Sequence, residues 1–307
     1  MKKRILSSTV LLGTALIWGI AFVAQVFGAR DLDPFTFNAS RFLLGGIALI
    51  PICCLFERKQ IEKRAKRHTL LAAFAGGGVL FLASLLQQFG IEMTENPGKA
   101  GFITGLYTVL TPILYFLFFR RRSGALTWVG AVLAAAGLYL LCFDGRATFS
   151  FGLGELLLLV GAIFWALHII VVDTVARECP PLHFSCGQFL VCGALNLVIS
   201  FFLGEPSMAA ILQGMPAILF CGLLSTGVGY TGQTVGQRIS DSPTRAAILL
   251  STESVFSAVG GLLWNATVRE SLHVEATVNV YGAIGCAVIF AAILLSQIPP
   301  RKKKQES

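Results

Sequence analysis

Ten apolar runs of about twenty residues follow one another along this 307-residue chain, near residues 7–28, 34–56, 68–90, 98–119, 123–143, 150–173, 181–203, 212–236, 243–264 and 276–297. As helices, runs of that length match a bilayer's hydrocarbon core of about 30 Å, at a rise of about 1.5 Å per residue. Lipid offers no water to open backbone groups, so only helices and closed barrels can span it. Long unbroken runs, as opposed to ten-residue alternating ones, select helices. The expected fold is an all-α polytopic membrane protein of ten transmembrane helices. Charged residues make up only 13% of the chain, about half the usual share for a soluble domain. Pro34, Pro97, Pro181 and Pro243 stand at four span starts, where a missing N–H costs nothing. The first run, Ser7 to Phe27, follows three basic residues like a signal peptide. Its length and the lack of a small-residue cleavage site predict an uncleaved helix.

Basic residues set the orientation. With the N-terminus in the cytoplasm, the inner segments hold nineteen of the 24 lysines and arginines, including Arg58 to Arg67, Arg120 to Arg122 and Arg301 to Lys304. The outer loops hold four: Arg30, Lys99, Arg146 and Arg269. Both termini are therefore expected in the cytoplasm, which requires an even number of spans. The net charge of +8 sits in short loops and tails, which argues against nucleic acid as a partner. The basic tail suits an anionic membrane surface.

The chain also repeats itself. At an offset of 147, Trp18 meets Trp165, Pro34 meets Pro181, Phe42-Leu43 meets Phe189-Leu190, and Gly46 meets Gly193. At 146, Gln87 meets Gln233, Gly90 meets Gly236, Pro97 meets Pro243, Lys99 meets Arg245, and Ala100 meets Ala246. At 152, Gly130-Ala131 meets Gly282-Ala283. The ordered set predicts two five-span repeats, 1–146 and 147–297, followed by a tail, 298–307. Five is odd, so the second copy is inverted. Secondary transporters use inverted repeats to rock about a midplane site.

The segments Gly13-Thr14-Ala15-Leu16-Ile17-Trp18-Gly19, Arg41-Phe42-Leu43-Leu44, Gly101-Phe102-Ile103-Thr104-Gly105-Leu106-Tyr107 with Pro112, and Ala246 to Glu253, together with Gly130 and Gly282, resemble the EamA-type carriers of the drug/metabolite transporter superfamily. The likeness runs from about residue 8 to 296. It departs at Ser254, where the family usually has proline, and at Arg120-Arg121-Arg122 and Val268-Arg269-Glu270, where Gly-Glu-Arg is common. The resemblance implies an inner-membrane exporter or exchanger of small organic metabolites such as amino acids, nucleosides or drugs.

Several residues are candidates for substrate binding or coupling. Glu253 lies ten residues after Pro243, about 15 Å deep by helical rise. An intramembrane carboxylate costs on the order of 3 kcal/mol. It would bind a cationic group or take up a coupling proton; a structural carboxyl bonded to neighbouring helices is the competing reading. Tyr107 holds the equivalent place after Pro97 and would stack on an organic substrate and donate a hydrogen bond, or simply pack. Arg41, inside the second span, would pair with Glu253 or hold a substrate carboxylate; snorkelling to the outer interface or structural anchoring is the competing reading. Trp18 and Trp165 lie mid-span, away from the usual aromatic belts, as cavity walls or as core. His168, one turn beyond Trp165, would relay protons or serve structure. Gln87 and Gln233 would line the pathway or bond helix to helix. Glu155 and Asp173, near span ends, read as interfacial.

Gly101xxxGly105, Gly232xxxGly236 and Gly76-Gly77-Gly78 permit close helix approach and are weak pointers to a homodimer. Asn265-Ala266-Thr267 is a sequon. Eight cysteines occur without a CxxC, so neither a zinc site nor a disulfide framework is indicated. Neither a Walker loop nor HExxH is present, and His68, His168, His183 and His273 are scattered. No metal or cofactor is expected. A membrane-embedded enzyme and a sensor or scaffold are the alternative classes. Neither explains a repeat.

Overall fold

The computed structural model describes residues 2–57, 63–120, 124–142, 152–268 and 280–297. Arg58, Lys59, Arg121, Arg122, Arg146, Arg269, the 146/147 junction and the tail 298–307 lie outside the described residues.

The described residues are helical, with no strand among them. The elements are α1 (Lys2–Asp31), α2 (Pro34–Phe56), α3 (Lys63–Thr94), α4 (Pro97–Gly105), α5 (Tyr107–Phe119), α6 (Ala125–Cys142), α7 (Leu153–Thr174), α8 (Pro181–Leu203), α9 (Met208–Gln213) and α10 (Met215–Leu219). A π-helical segment (Phe220–Tyr230) follows, then α11 (Thr231–Ile239), α12 (Pro243–Leu250), α13 (Glu253–Val268) and α14 (Val280–Gln297). Among the described residues, eight helical stretches are long and apolar enough to cross a membrane: α1, α2, most of α3, α4 with α5, α7, α8, α10 through α11, and α12 with most of α13.

The surface is apolar and much of the interior polar, as lipid demands. Phe201, Phe202 and Leu203 at the end of α8 are exposed, whereas Asn38, Ser84, Gln188 and Gln237 are fully buried. Packing against lipid gives such groups nowhere else to find partners. Gln237 thus donates to the Ile169 carbonyl at 3.0 Å, and Asn38 to the Ser84 carbonyl at 3.3 Å.

Helix α2 packs lengthwise on α8, α3 on α7, and α6 on α14, while α1 is held by α13, α11 and the π segment. Along α2 and α8 the contact is reciprocal. Leu190 seats on Gly46, where an added Cβ would come within 2.8 Å of its Cδ2. Leu43 seats on Gly193, where an added Cβ would lie 2.8 Å from its Cγ. The same exchange joins other helices: Leu158 seats on Gly90 and Leu11 on Gly236. In each exchange both leucine and glycine recur 146 or 147 residues later.

Carboxylates fasten both ends of the α2–α8 pair. Asp33 accepts from the Phe35 and Thr36 N–H groups, each at 3.0 Å, and from Glu205 N–H beyond the end of α8. At the other end, Glu57 accepts from Leu182 and His183 N–H groups in the first turn of α8. Each carboxylate satisfies donors that a helix N-terminus otherwise leaves open.

Most of the motif glycines face other helices of the same chain, whereas Gly78 has open space where its Cβ would be. An added Cβ would meet Ser257 at Gly101, Phe184 at Gly76, Val191 at Gly77, and Thr14 at Gly232. At these four positions the glycine allows close approach of helices within the chain.

Candidate functional site

Two helical paths expected to be continuous are broken at mid-depth. The first breaks at Leu106, between α4 and α5, and the second at Ser251-Thr252, between α12 and α13. At the second break the Ser251 and Thr252 hydroxyls donate to the carbonyls of Ile248 and Leu249, at 2.9 and 2.7 Å. Back-bonding of this kind competes with the i→i−4 ladder and bends helices. Ser254 N–H then bonds the Ser251 carbonyl at 3.2 Å, one residue short of α-helical register. Tyr107 and Glu253 are the first residues beyond their breaks. The breaks lie side by side: the Ser254 hydroxyl donates to the Gly101 carbonyl at 2.5 Å and the Ser257 hydroxyl to that of Pro97 at 2.6 Å.

A third irregularity faces them. The π segment runs for eleven residues, whereas π geometry is usually confined to single turns. Three of its residues are glycine, and α1 supplies outside donors to its carbonyls. The Trp18 indole N–H bonds the Ser225 carbonyl at 3.2 Å and the Thr14 hydroxyl that of Gly229 at 3.3 Å. Side chains inserted into a ladder are a recognised cause of such distortion.

These elements enclose a cavity of about 400 Å³ of atom-free space, its opening included. Glu253, Tyr107, Trp18, Trp165, Arg41, Gln87 and Gln233 all line it. Trp18 and Trp165 stand with ring centroids 6.5 Å apart, and Tyr230 lies 4.6 Å from Trp18 and stacks on Trp165 at 5.9 Å. The Trp165 indole nitrogen is buried without a hydrogen-bond partner, and the Tyr107 hydroxyl is buried beside the Glu253 carboxyl. Glu253, 3% exposed, is an electrostatic neighbour of that hydroxyl.

Arg41 is 1% exposed. Its Nε donates to Asn38 Oδ1 at 2.9 Å, and its guanidinium carbon lies 4.6 Å from the centre of the Phe42 ring. Its Nη2 has no partner. Among the described residues no ion pair joins it to Glu253 or to any other carboxylate. It is a wall residue of the cavity, and its burial excludes the snorkelling alternative.

His168 is not on the cavity wall. It is fully buried behind the aromatic rings, edge-on to Trp165 and Tyr230, with Nε2 bonded to Gln188 Oε1 at 2.9 Å. Glu155 and Asp173 also stand apart, paired with Lys99 and Arg177.

Sequence reasoning missed Tyr230, Gln25, Thr104 and Ser225 as wall residues. Gln25 follows Trp18 by seven residues and so shares its helical face, a signal present in the sequence. Tyr230 had none, because a serine, Ser84, stands 146 residues before it. No cluster of three metal-ligating side chains occurs among the described residues.

Comparison with known proteins places this geometry in context. A solved protein structure superposes with a TM-score of 0.70 at 19% identity, covering 95% of this chain and 96% of that one, a likeness of fold. An uncharacterized transporter of Archaeoglobus fulgidus is 27% identical over 83% of this chain and 77% of its own length. The uncharacterized transporter YoaV of Bacillus subtilis is 23% identical over 96% and 97%. A chloroplastic WAT1-related protein of Arabidopsis thaliana, At3g02690, is 25% identical over 95% and 69%. The EamA-like transporter family matches twice, at residues 6–143 and 152–298. The chain is a multi-pass membrane protein that belongs to the EamA-like transporter family.

Proposed function

We propose that the protein is a secondary carrier that moves a small organic metabolite, an amino acid or drug-like compound, by alternating access around the cavity between α1, α2, α4/α5 and α12/α13. In this reading α6 and α14 also span, giving ten transmembrane helices in two inverted five-helix repeats, 1–146 and 147–297. Both termini face the cytoplasm of an inner-membrane protein, and transport runs outward or by exchange. One observation supports the reading above others: four pairs of positions 146 or 147 residues apart meet on one cavity wall. They are Trp18 with Trp165, Phe22 with Ile169, Gln87 with Gln233, and Tyr107 with Glu253. Two similar bundles that meet at a shared pocket can rock about it. The leucine-on-glycine exchanges support the same two-fold relation. A transporter family and transporter-named relatives also favour a carrier over an enzyme.

The test is counterflow in proteoliposomes loaded with a metabolite mixture. Saturable, accelerated exchange of a labelled solute is expected. Non-saturable flux would indicate a channel, and no flux of any solute would defeat the carrier reading.

A further inference from the structure

The chain enters α4 and α12 through repeat-related segments, Glu95-Asn96-Pro97-Gly98-Lys99 and, 146 positions later, Asp241-Ser242-Pro243-Thr244-Arg245. Each segment ties its own half of the chain to the other half. Lys99 pairs with Glu155 in the first turn of α7, and the Gly152 N–H holds that carboxylate at 2.9 Å. Arg245 Nη2 donates to the Ser8 hydroxyl of α1 at 2.9 Å. Ser8 is the counterpart of Glu155, 147 positions before it. Ser8 carries no charge, but Arg4, one turn earlier, supplies one. Its Nε lies 2.6 Å from Asp241 Oδ2, the oxygen that Arg245 Nη1 meets at 3.4 Å. At both sites the first half of the chain contributes a cation and the second half a carboxylate.

The two sites lie toward opposite ends of α1. Ser8 is in its second turn, whereas Val26 belongs to the core cluster that holds Ala100, the neighbour of Lys99. From Ser8 to Val26 the helix rises about 27 Å. Trp18, Ala21 and Phe22, on the cavity wall, stand between. From these sites α4 and α12 run inward to the breaks at Leu106 and Ser251-Thr252. Lys99 and Arg4 are partly exposed, so a mouth that opens at either end lets water reach both partners. An ion pair that water can reach costs little to part. A pair sealed in the core does not come apart so cheaply.

Resting on the carrier reading, we infer that these contacts are the two latches of the transport cycle. Lys99–Glu155 closes the outer mouth, and Arg4–Asp241 with Arg245–Ser8 closes the inner one. Both are engaged in this structure. Rocking of one half on the other parts one latch while the other stays shut. Neither touches the cavity wall, so their residues act by positioning the two halves. Loss of one latch removes an interaction present only in states closed at that end, and so shifts the population toward the state open there.

The experiment measures from which face the cavity is reached. The full chain carries Ser225→Cys on the cavity wall, in membrane vesicles of each orientation. A charged, membrane-impermeant methanethiosulfonate is added, and its rate of attachment to residue 225 is followed by mass spectrometry. Glu155→Gln should raise the rate from the outer face about threefold, as the modest worth of such a pair implies, and lower it from the inner face. Arg4→Gln with Ser8→Ala should do the opposite. Exchanging the outer charges, Lys99→Glu with Glu155→Lys, should bring the rates back toward the parental ones. If a latch variant fails to fold, Lys99→Cys with Glu155→Cys decides. Oxidation by copper phenanthroline should join the two thiols, block attachment from the outer face and spare the inner one, and reduction should reverse this. Unchanged rates, rates that rise from both faces together, or unhindered outer attachment after cross-linking overturns the inference. Saturable counterflow by a chain whose latch variants keep the parental rates would overturn it and leave the carrier reading standing. Opposed shifts without counterflow of any solute would do the reverse.

Discussion

Leu43 of α2 and Gly193 of α8 are in such close contact that a Cβ on the glycine would lie 2.9 Å from the leucine's backbone nitrogen. The mirror contact, Leu190 on Gly46, is looser at the backbone: an added Cβ would lie 3.3 Å from the Leu190 nitrogen and strike mainly the side-chain tip. Gly193→Ala should therefore destabilise the protein by about 1–3 kcal/mol, the usual cost of overpacking, and Gly46→Ala by less. Thermal unfolding in detergent measures both. Adding Leu43→Ala to Gly193→Ala should recover part of the loss, because the two sites share one contact.

Glu253 is a carboxyl on the cavity wall at the start of a half-helix. Glu253→Gln keeps its shape and removes its charge. Transport should be abolished, or lose its dependence on pH, while the unfolding temperature stays near that of the parent. A variant with full activity and the parental pH profile would show the group to be structural.

The two tryptophans make different demands on the fold. Trp18 donates to the Ser225 carbonyl, whereas the Trp165 nitrogen has no partner. Trp18→Phe should cost about 1 kcal/mol more than Trp165→Phe, the worth of one hydrogen bond. Both should weaken substrate binding, since both form the wall. Equal stability losses would mean that the indole bond to the π segment contributes nothing.

His168 is bonded to Gln188 and does not reach the cavity. His168→Asn should lower stability by about 1–3 kcal/mol, as expected when a buried partner is lost, yet leave the pH profile of transport unchanged. A shifted profile would make His168 part of the proton path.

Much of this architecture is written in the sequence, because lipid imposes one long apolar run per crossing and small residues wherever helices touch. Trp18, Gln87 and Tyr107 could be assigned to one wall because their counterparts recur at a nearly fixed offset. The breaks at Leu106 and at Ser251-Thr252 could not be read in this way. Hydropathy averages over a window and is blind to the hydrogen-bond register, which the Ser251 and Thr252 hydroxyls alter locally. The π segment is hidden for the same reason: its glycines and apolar residues look like any other span. Tyr230 has Ser84, not an aromatic residue, at the repeat offset, so the symmetry of the sequence does not point to it. The separation of Arg41 from Glu253 needed the structure, since the sequence leaves their pairing open.

The claim on which the account turns is that the two halves thread the membrane in opposite directions. Reporter fusions at Arg146 and at the C-terminal Ser307, one enzyme active only outside the cytoplasm and one fluorophore folding only within it, measure this directly. Arg146 outside and Ser307 inside is the expected result. Both reporters on the same side would contradict it.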